Sequence, residues 1–430
     1  MRKKNDKKQT RAELKKEVIK KAKTLFDNNT FKGFSKWKNA EYEFIAPADR
    51  EYTYQWLWDT GFHAIALSHF DTERAKKEIR TFLLGQWEDG FIPHVIFWGK
   101  KKVLPHWAYI ESKRSPRPHT TAITQPPVLG ISVEEIYEKD KDKEFLKEVL
   151  PKLASHHRWL LSNRDEDGDK LISIISPNES GMDELPIFQY VVGFLGEDTV
   201  RLHWAFRKTD LRNYYHNYNN KIILKKDYFN VEELLFNCVF AEASRSLSRL
   251  FKEIGNKEEA TYFEMVANAS EEAIIEKCWH KEDEIFYSLF TKDEKYARVK
   301  TVASLAPLFL KNLKGEKLEK LINKHLLNKA EFWTKYPVPT VARSEPYYNP
   351  EDTPLHKAKL LWRGPTWIAT NWFVVKGLRR HGYDDIADKI IDAMNRMITE
   401  HGFREYYNPE TGQGYRRVNF GWSTLILDLL

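Results

Sequence analysis

The stretch "VEELLFNCVFAEASRSLSRLFKEIG" constrains the fold more tightly than any other part of the chain. Leu235, Val239, Ala243, Leu247, Leu250 and Ile254 recur at steps of three and four, which places them on one stripe of a helix. Gly255 follows, a residue that ends helices because it adopts the left-handed conformation without strain. The next segment, "NKEEATYFEMVANASEEAIIEKCW", resumes the helical period at once, so the two form a helix hairpin. The same period predicts helices over 11–26, 59–70, 72–86, 127–138, 143–163, 301–312, 316–325, 365–380, 384–400 and 421–429. Pro365 suits the first turn of its helix, where a missing N–H costs little. Strand signals are confined to "KLISII" at 170–175 and "EIFYSLF" at 284–290, read as hairpin decorations between helices. About a dozen helices in pairs, with short and long loops alternating, predict an all-α barrel or toroid of helix hairpins; a four-helix bundle would not need so many. No Pro/Ser/Gly-rich linker divides the chain, so residues 1–430 read as a single domain, with residues 1–10 a frayed basic N-terminus.

Composition narrows the function classes. The net charge of +7 is concentrated in "MRKKNDKKQTRAELKKEVIKKAK", which reads as a solvated start and an exposed helix. Elsewhere Lys and Glu are interspersed and no nucleic-acid fingerprint accompanies the charge, so no nucleic-acid partner is expected. Cys238 and Cys278 lie in apolar helical patterns and read as buried thiols, which suits a reducing compartment. No apolar run follows the basic start and none approaches the length of a membrane span, so the expectation is a cytoplasmic protein with no membrane partner. The aromatic share of 14 % is high, and aromatic rings serve as platforms for flat apolar ligand faces as well as core.

The long loops, 88–122, 164–186, 331–362 and 402–420, carry the unusual residues. In "EYTYQWLWDTGFHAIALSHFD", Tyr52, Tyr54, Trp56, Trp58 and Asp59 crowd together. That is either a core cluster or a carbohydrate subsite, in which rings stack on a sugar and a carboxylate grips two hydroxyls. Asp59 also reads as the cap of the helix that starts there. "SPNESGMDELP" holds Glu179 and Asp183 around Gly181, either a solvated loop or a carboxylate whose pKa is raised for general-acid work. "HGFREYYNPETGQG" sets Glu405 between Arg404 and two tyrosines: an exposed turn, or a base kept ionised by Arg or by Tyr hydroxyls. In "LLWRGPTWIATNWF", Trp362 and Arg363 precede a helix and suit a pocket, while Trp367 and Trp372 read as core. "RDEDGDK" at 164–170 fails as a calcium loop, since its Gly comes too early and the closing Glu is missing. His156 and His157 are adjacent on a helix and cannot face one metal. No phosphate- or dinucleotide-binding motif is present, and neither a metal nor a cofactor is expected. Paired carboxylates with many aromatics on a helical toroid point to glycoside hydrolysis.

Five segments carry a more specific signal. "YQWLWDTGFHAIALSHFDTERAKKEIRTFLLGQWEDGFIPHVIFW", "TTAITQPPV", "NESGMD", "WRGPTWIATNW" and "GFREYYNPETGQG" resemble, in order, the signature segments of glycoside hydrolase family 63. The resemblance runs from about Tyr52 to the C-terminus, weakening over 187–228, and is closest to the short microbial members that hydrolyse mannosylglycerate and glucosylglycerate. It implies an (α/α)6 barrel and hydrolysis of an α-glycosidic bond with inversion. By the same resemblance Asp183 is the general acid and Glu405 the general base. Tyr52, Trp56, Trp58, Asp59, Gln125 and Trp362 bind the sugar, with Arg363 beside them at the pocket. An inverting pair needs one protonated and one ionised carboxyl, ~6.5–9.5 Å apart, with a water between base and anomeric carbon. Glu179 then takes a loop-organising role.

Two departures bear on the substrate. Leu361 stands where glycerate-specific members have a Tyr before W-R-G-P, and "FRKTDLRNYYHNYNNK" does not align with the family's segment that holds the glycerate carboxylate. Arg207 and Arg212 are the candidates for that task. The expected partner is a small carbohydrate, and self-association into a homo-oligomer is compatible with the sequence. Two other readings stand beside a mannosylglycerate- or glucosylglycerate-type hydrolase: an α-glucosidase or trehalase-like hydrolase of di- or oligosaccharides, and a non-catalytic carbohydrate-binding protein.

Overall fold

The computed structural model describes residues 11–48, 52–99, 103–194, 196, 198–352 and 360–430. The basic N-terminus assigned to residues 1–10 lies outside them. Among the described residues ten long helices carry the architecture: α1 (Arg11–Asn28), α2 (Leu57–Ser68), α3 (Thr72–Leu83), α4 (Leu129–Asp140), α5 (Lys143–Arg164), α6 (Thr199–Tyr215), α7 (Leu234–Glu253), α8 (Lys257–Lys277), α9 (Ile368–Arg380) and α10 (Asp384–His401). The predicted stripe holds: Leu235, Val239, Ala243, Leu247 and Leu250 on α7 are buried. Gly255 ends the hairpin at φ 79°, and Asn256 caps α8 by accepting from the Glu259 N–H.

Six elements form an inner ring. α2 packs on α4, α4 on α7, α7 on the 3-10 segment Val302–Phe309, that segment on α9, α9 on the 3-10 segment Gly421–Asp428, and this last returns to α2. Six others lie outside, each against its hairpin partner: α3 on α2, α5 on α4, α8 on α7, the stretch 316–326 beside 302–309, α10 on α9, and α1 on Gly421–Asp428. This is the (α/α)6 toroid. Inner elements are largely buried, and every residue of α2 and of Val302–Phe309 is. They approach so closely that a Cβ on Gly421 would lie 1.9 Å from His63 Nε2.

The order of the chain decides where the chemistry can sit. Inner helices pass to outer ones through short turns, 69–71, 141–142, 254–256, 310–315 and 381–383. Outer helices return to the next inner one through long segments, 29–56, 84–128, 165–233, 278–301, 327–367 and 402–420. Strict alternation of antiparallel hairpins collects the long segments at one rim.

Several local expectations differ from the structure. "KLISII" contributes only an isolated bridge between Ile174 and Val231. Within 284–290 two short strands form, Ile285–Phe286 and Leu289–Phe290. Two hairpins went unread: β1 (Thr30–Ser35) with β2 (Ala40–Ile45), and β3 (Arg404–Tyr407) with β4 (Gly414–Val418). Pro365 is not in a helix turn, because its carbonyl accepts from the Thr340 N–H at 3.2 Å while Thr366 bridges to Tyr407, and α9 starts only at Ile368. Pro307 lies inside the segment 302–309, which winds as 3-10 rather than α.

Candidate active site

A cavity of ≈ 380 Å³ opens at the long-loop rim. Tyr52, Trp56, Trp58, Asp59, Gln125, Asp183, Trp362 and Glu405, all singled out in the sequence, line it. They come from five of the long segments and the start of α2, so residues more than 350 positions apart meet there.

The loop 176–186, called the acid loop for the carboxyls Glu179 and Asp183 that it carries, is fastened from below. Glu179 is fully buried and takes a two-pronged ion pair from Arg164 at the end of α5, at 2.7 and 2.8 Å. The same carboxylate accepts the N–H groups of Thr124 at 3.0 Å and Ile175 at 2.7 Å. It thereby ties the acid loop to the segment that carries Gln125, whose Oε1 accepts the Trp58 N–H at 3.3 Å. Gly181 has φ 72°, and a Cβ there would stand 2.6 Å from the Trp58 indole. A side chain at this point would push the loop off the aromatic wall.

Asp183 sits on that fastened turn and accepts the Trp362 indole N–H at 3.1 Å. Burial holds its carboxyl above the ordinary range, against the opposing pull of its own N–H, the Trp362 indole, His203 and Arg416. Trp362 is itself locked: its ring stacks on Trp367 at 3.6 Å and 11°. Trp422 closes the box from the C-terminal segment, 5.6 Å from Trp58 and 5.3 Å from Trp367.

Glu405 lies on β3, buried, and accepts from Tyr52 Oη at 3.3 Å, with Arg416 Nη1 on β4 at 3.6 Å. Alternation along a strand turns Arg404 the other way, and its Nε donates to the His401 carbonyl. The cation beside Glu405 is therefore Arg416 and not the adjacent Arg404. Asp59 does not cap α2; Trp56 holds that position, and Asp59 lies in the first turn, facing the cavity. Burial pushes its carboxyl up to about 8, and Oδ1 has no hydrogen-bond partner among the described residues.

Arg363 departs from its assignment, since it is not part of the cavity wall. Its Nη1 donates to Gln189 Oε1, and its carbonyl accepts the Asn349 N–H at 2.6 Å. Trp362 has φ 59° and Gly364 φ 154°, a turn that sends the Trp and Arg side chains in different directions. Arg212 is exposed and stacks over Tyr228 at 5.0 Å, whereas Arg207 reaches the cavity. Trp367, read as core, also lines it, as do His94, Trp107, Glu111, Glu184, Asp210 and Trp422, none of them singled out beforehand. Glu184 adjoins the general-acid candidate in the quoted motif. Burial and the Asp183 charge push it up to about 8, and it accepts the Leu361 N–H.

In the motif at 164–170, Asp165, Asp167 and Asp169 bring carboxylate oxygens within 4.8 Å of one another. Asp165 pairs with Lys170 at 3.1 Å and Asp169 with Lys277 at 2.6 Å, in a bend away from the cavity. His156 Nδ1 accepts the Ile92 N–H, and His157 contacts Ser244 Oγ at 2.9 Å. Cys238 and Cys278 are free and buried. No described helix is long and apolar enough to cross a membrane.

The profile of the mannosylglycerate hydrolase MGH1-like glycoside hydrolase domain matches residues 52–423. The chain belongs to this family. Among its relatives in glycoside hydrolase family 63, the mannosylglycerate hydrolase of Thermus thermophilus is 30 % identical over 90 % of this chain and 97 % of its own length. The glucosylglycerate hydrolase of Mycolicibacterium hassiacum is 26 % identical over 88 % and 92 %. A crystal structure of a family 63 mannosylglycerate hydrolase from Thermus thermophilus in complex with Tris superposes with a TM-score of 0.82. It is 28 % identical and covers 95 % of this chain and 99 % of the other. As a member of this family, the protein is a glycoside hydrolase.

Proposed function

We propose that the protein hydrolyses a small α-mannoside or α-glucoside with inversion, the class to which mannosylglycerate and glucosylglycerate, named for its relatives, belong. The observation that carries this reading is the pairing, on one cavity wall, of a half-buried Asp183 held by the Trp362 indole with Glu405 held by Tyr52 and Arg416. Desolvation raises the Asp183 pKa and so favours the protonated form, which gives its proton to the leaving oxygen. Glu405, beside a guanidinium, takes a proton from the attacking water. Tyr52, Trp56, Trp58 and Trp362 offer ring faces and Asp59 and Gln125 polar atoms to the glycone. The cavity volume suits a ligand of disaccharide size.

The test is a proton-NMR time course on α-mannosylglycerate and α-glucosylglycerate, with wild type and Asp183→Asn. The expected first product is the β-anomer, with turnover lost in the variant and sugar binding retained. Release of the α-anomer sinks the inverting mechanism, and a variant with near-normal turnover sinks the assignment of the acid. A second reading, hydrolysis of a disaccharide, is favoured by Leu361, an apolar side chain on the wall beside Trp362. Adding kojibiose, nigerose and trehalose to the panel separates the two.

A further inference from the structure

The aromatic wall continues past the residues assigned to the glycone. Trp107, half-buried on the short helix His106–Ile110, lines the cavity 5.8 Å from Trp56 and tilted by 34° to it. Neighbours fix its ring: Tyr54 meets it edge-on at 6.1 Å, and Phe97 packs on it at 6.0 Å. The short helix packs on α6, which brings Phe206 to the same cavity. Leu361, beside Trp362, adds a third apolar side chain. Each of the two aromatics has a polar neighbour one turn on. Glu111 follows Trp107 by four positions, its N–H donating to the Trp107 carbonyl at 2.9 Å, and Asp210 follows Phe206 by four on α6. Both carboxyls line the cavity and feel the charge of Asp183, so this part of the wall adjoins the acid. A general acid protonates the oxygen that leaves with the aglycone, and groups beyond it meet that aglycone.

Rings with polar groups beside them match a ligand that has two kinds of surface. A pyranose carries a C–H face that covers an aromatic ring, and hydroxyls around its edge that donate and accept. A three-carbon glycerate has no such face. It leaves Trp107, Phe206 and Leu361 uncovered, and their apolar surface then adds nothing to binding. The polar groups suit hydroxyls as well. Burial holds the Glu111 carboxyl well above the ordinary range, and a protonated carboxyl donates as well as accepts. Asn178 Nδ2 donates to Glu111 Oε1 at 2.9 Å and Ser176 Oγ to Asp210 Oδ1 at 2.8 Å, which fixes both carboxyls in place. Arg207 Nη1 lies 3.8 Å from Glu111 and 3.9 Å from Asp210, and His94 Nδ1 lies 3.9 Å from Glu111. Neither nitrogen has a hydrogen-bond partner among the described residues, so both are open to ligand hydroxyls.

We infer that Trp107 and Phe206 form a platform for a second sugar ring, so that the aglycone is a pyranose and the substrate an α-linked disaccharide. The inference rests on the glycosidase reading above and takes its disaccharide over the glycerate conjugates. Its test compares kojibiose, nigerose and an α-linked mannobiose with α-glucosylglycerate and α-mannosylglycerate. It adds α-glucosyl and α-mannosyl fluoride, which carry the glycone and no aglycone ring. Wild-type kcat/KM is expected to be about tenfold or more higher for at least one disaccharide than for the glycerate of the same glycone, the size of one aromatic contact. Trp107→Ala is expected to lower the ratio of disaccharide to fluoride kcat/KM about tenfold, chiefly through KM. Trp107→Phe, which keeps a ring, is expected to restore most of that ratio. A wild type that prefers the glycerate substrates, or does not distinguish them from the disaccharides, overturns the inference. So does a Trp107→Ala variant that lowers disaccharide and fluoride hydrolysis alike, the mark of a structural role, or a Trp107→Phe ratio as low as that of Trp107→Ala. Hydrolysis of the fluorides or the glycerates with no disaccharide cleaved overturns the platform and leaves the glycosidase reading standing. Hydrolysis of none of these substrates overturns both.

Discussion

Trp362 does two jobs with one side chain. Its ring face packs on Trp367 and its edge donates to Asp183. The indole N–H is among the groups that hold the Asp183 pKa down against burial. Trp362→Phe keeps a ring in the stack and removes the donor, so the Asp183 pKa rises further. A general acid works while protonated, and activity falls above its pKa; the alkaline limb of the kcat/KM profile therefore moves to higher pH. The same change misplaces the carboxyl, and kcat is expected to fall on the order of tenfold. A variant that loses activity with an unmoved alkaline limb would restrict Trp362 to packing. Little of this was legible from residues alone. Asp183 and Glu405 stand out through their motifs, whereas nothing in the sequence sets Glu111, Glu184 and Asp210 apart. Burial is conferred by segments distant in sequence, and local composition does not report it.

At the scale of elements, the site depends on a clamp between α5 and the acid loop. The Arg164 and Glu179 side chains are 1 % and 0 % exposed, so their pair has no water to fall back on. Removing one partner leaves a charge buried without its counterion, which costs about 3–5 kcal/mol. Glu179→Ala is expected to lower stability by that amount in urea unfolding, and pairing it with Arg164→Met to recover part of the loss. A loss below about 1 kcal/mol would mean that neither the ion pair nor the N–H contacts of the Glu179 carboxylate hold the loop. The ring helices are readable because their apolar residues recur at helical spacing over three turns or more. α6 is not. Its cavity side mixes Phe206 with Arg207 and Asp210, while Trp204 and Tyr215 are exposed, so no stripe forms. β3 and β4 were missed for a related reason, since a two-stranded hairpin on a helical frame alternates too briefly to outweigh the helices around it.

The whole molecule holds many buried ionisable groups, and their balance sets how stability follows pH. Burial pushes Asp59, Glu78, Glu184 and Glu232 up to about 8 and Glu233 up to about 7. These carboxyls bind protons more tightly folded than unfolded. Their contribution is complete below their ordinary range and is lost as pH rises through 7–8. His63, His94 and His157 are pushed down to about 3, so their opposing effect ends once pH exceeds the ordinary histidine value. Between roughly pH 6.5 and 8.5 only the carboxyl side acts, and Tm is expected to fall across that window. Calorimetry at three pH values checks it; a flat or rising Tm would show that these carboxyls are rehydrated. The alternation of short and long connections has a practical corollary at this scale. Five of the six long segments contribute to the cavity wall, and the short turns contribute nothing. The protein thus has a face where chain can be added freely. A folded passenger domain inserted after Gly255, in the turn between α7 and α8, is expected to leave kcat/KM within roughly twofold of the parent. The same enzyme could then be tethered to a surface by its blank side, with the mouth of the toroid still open to solute.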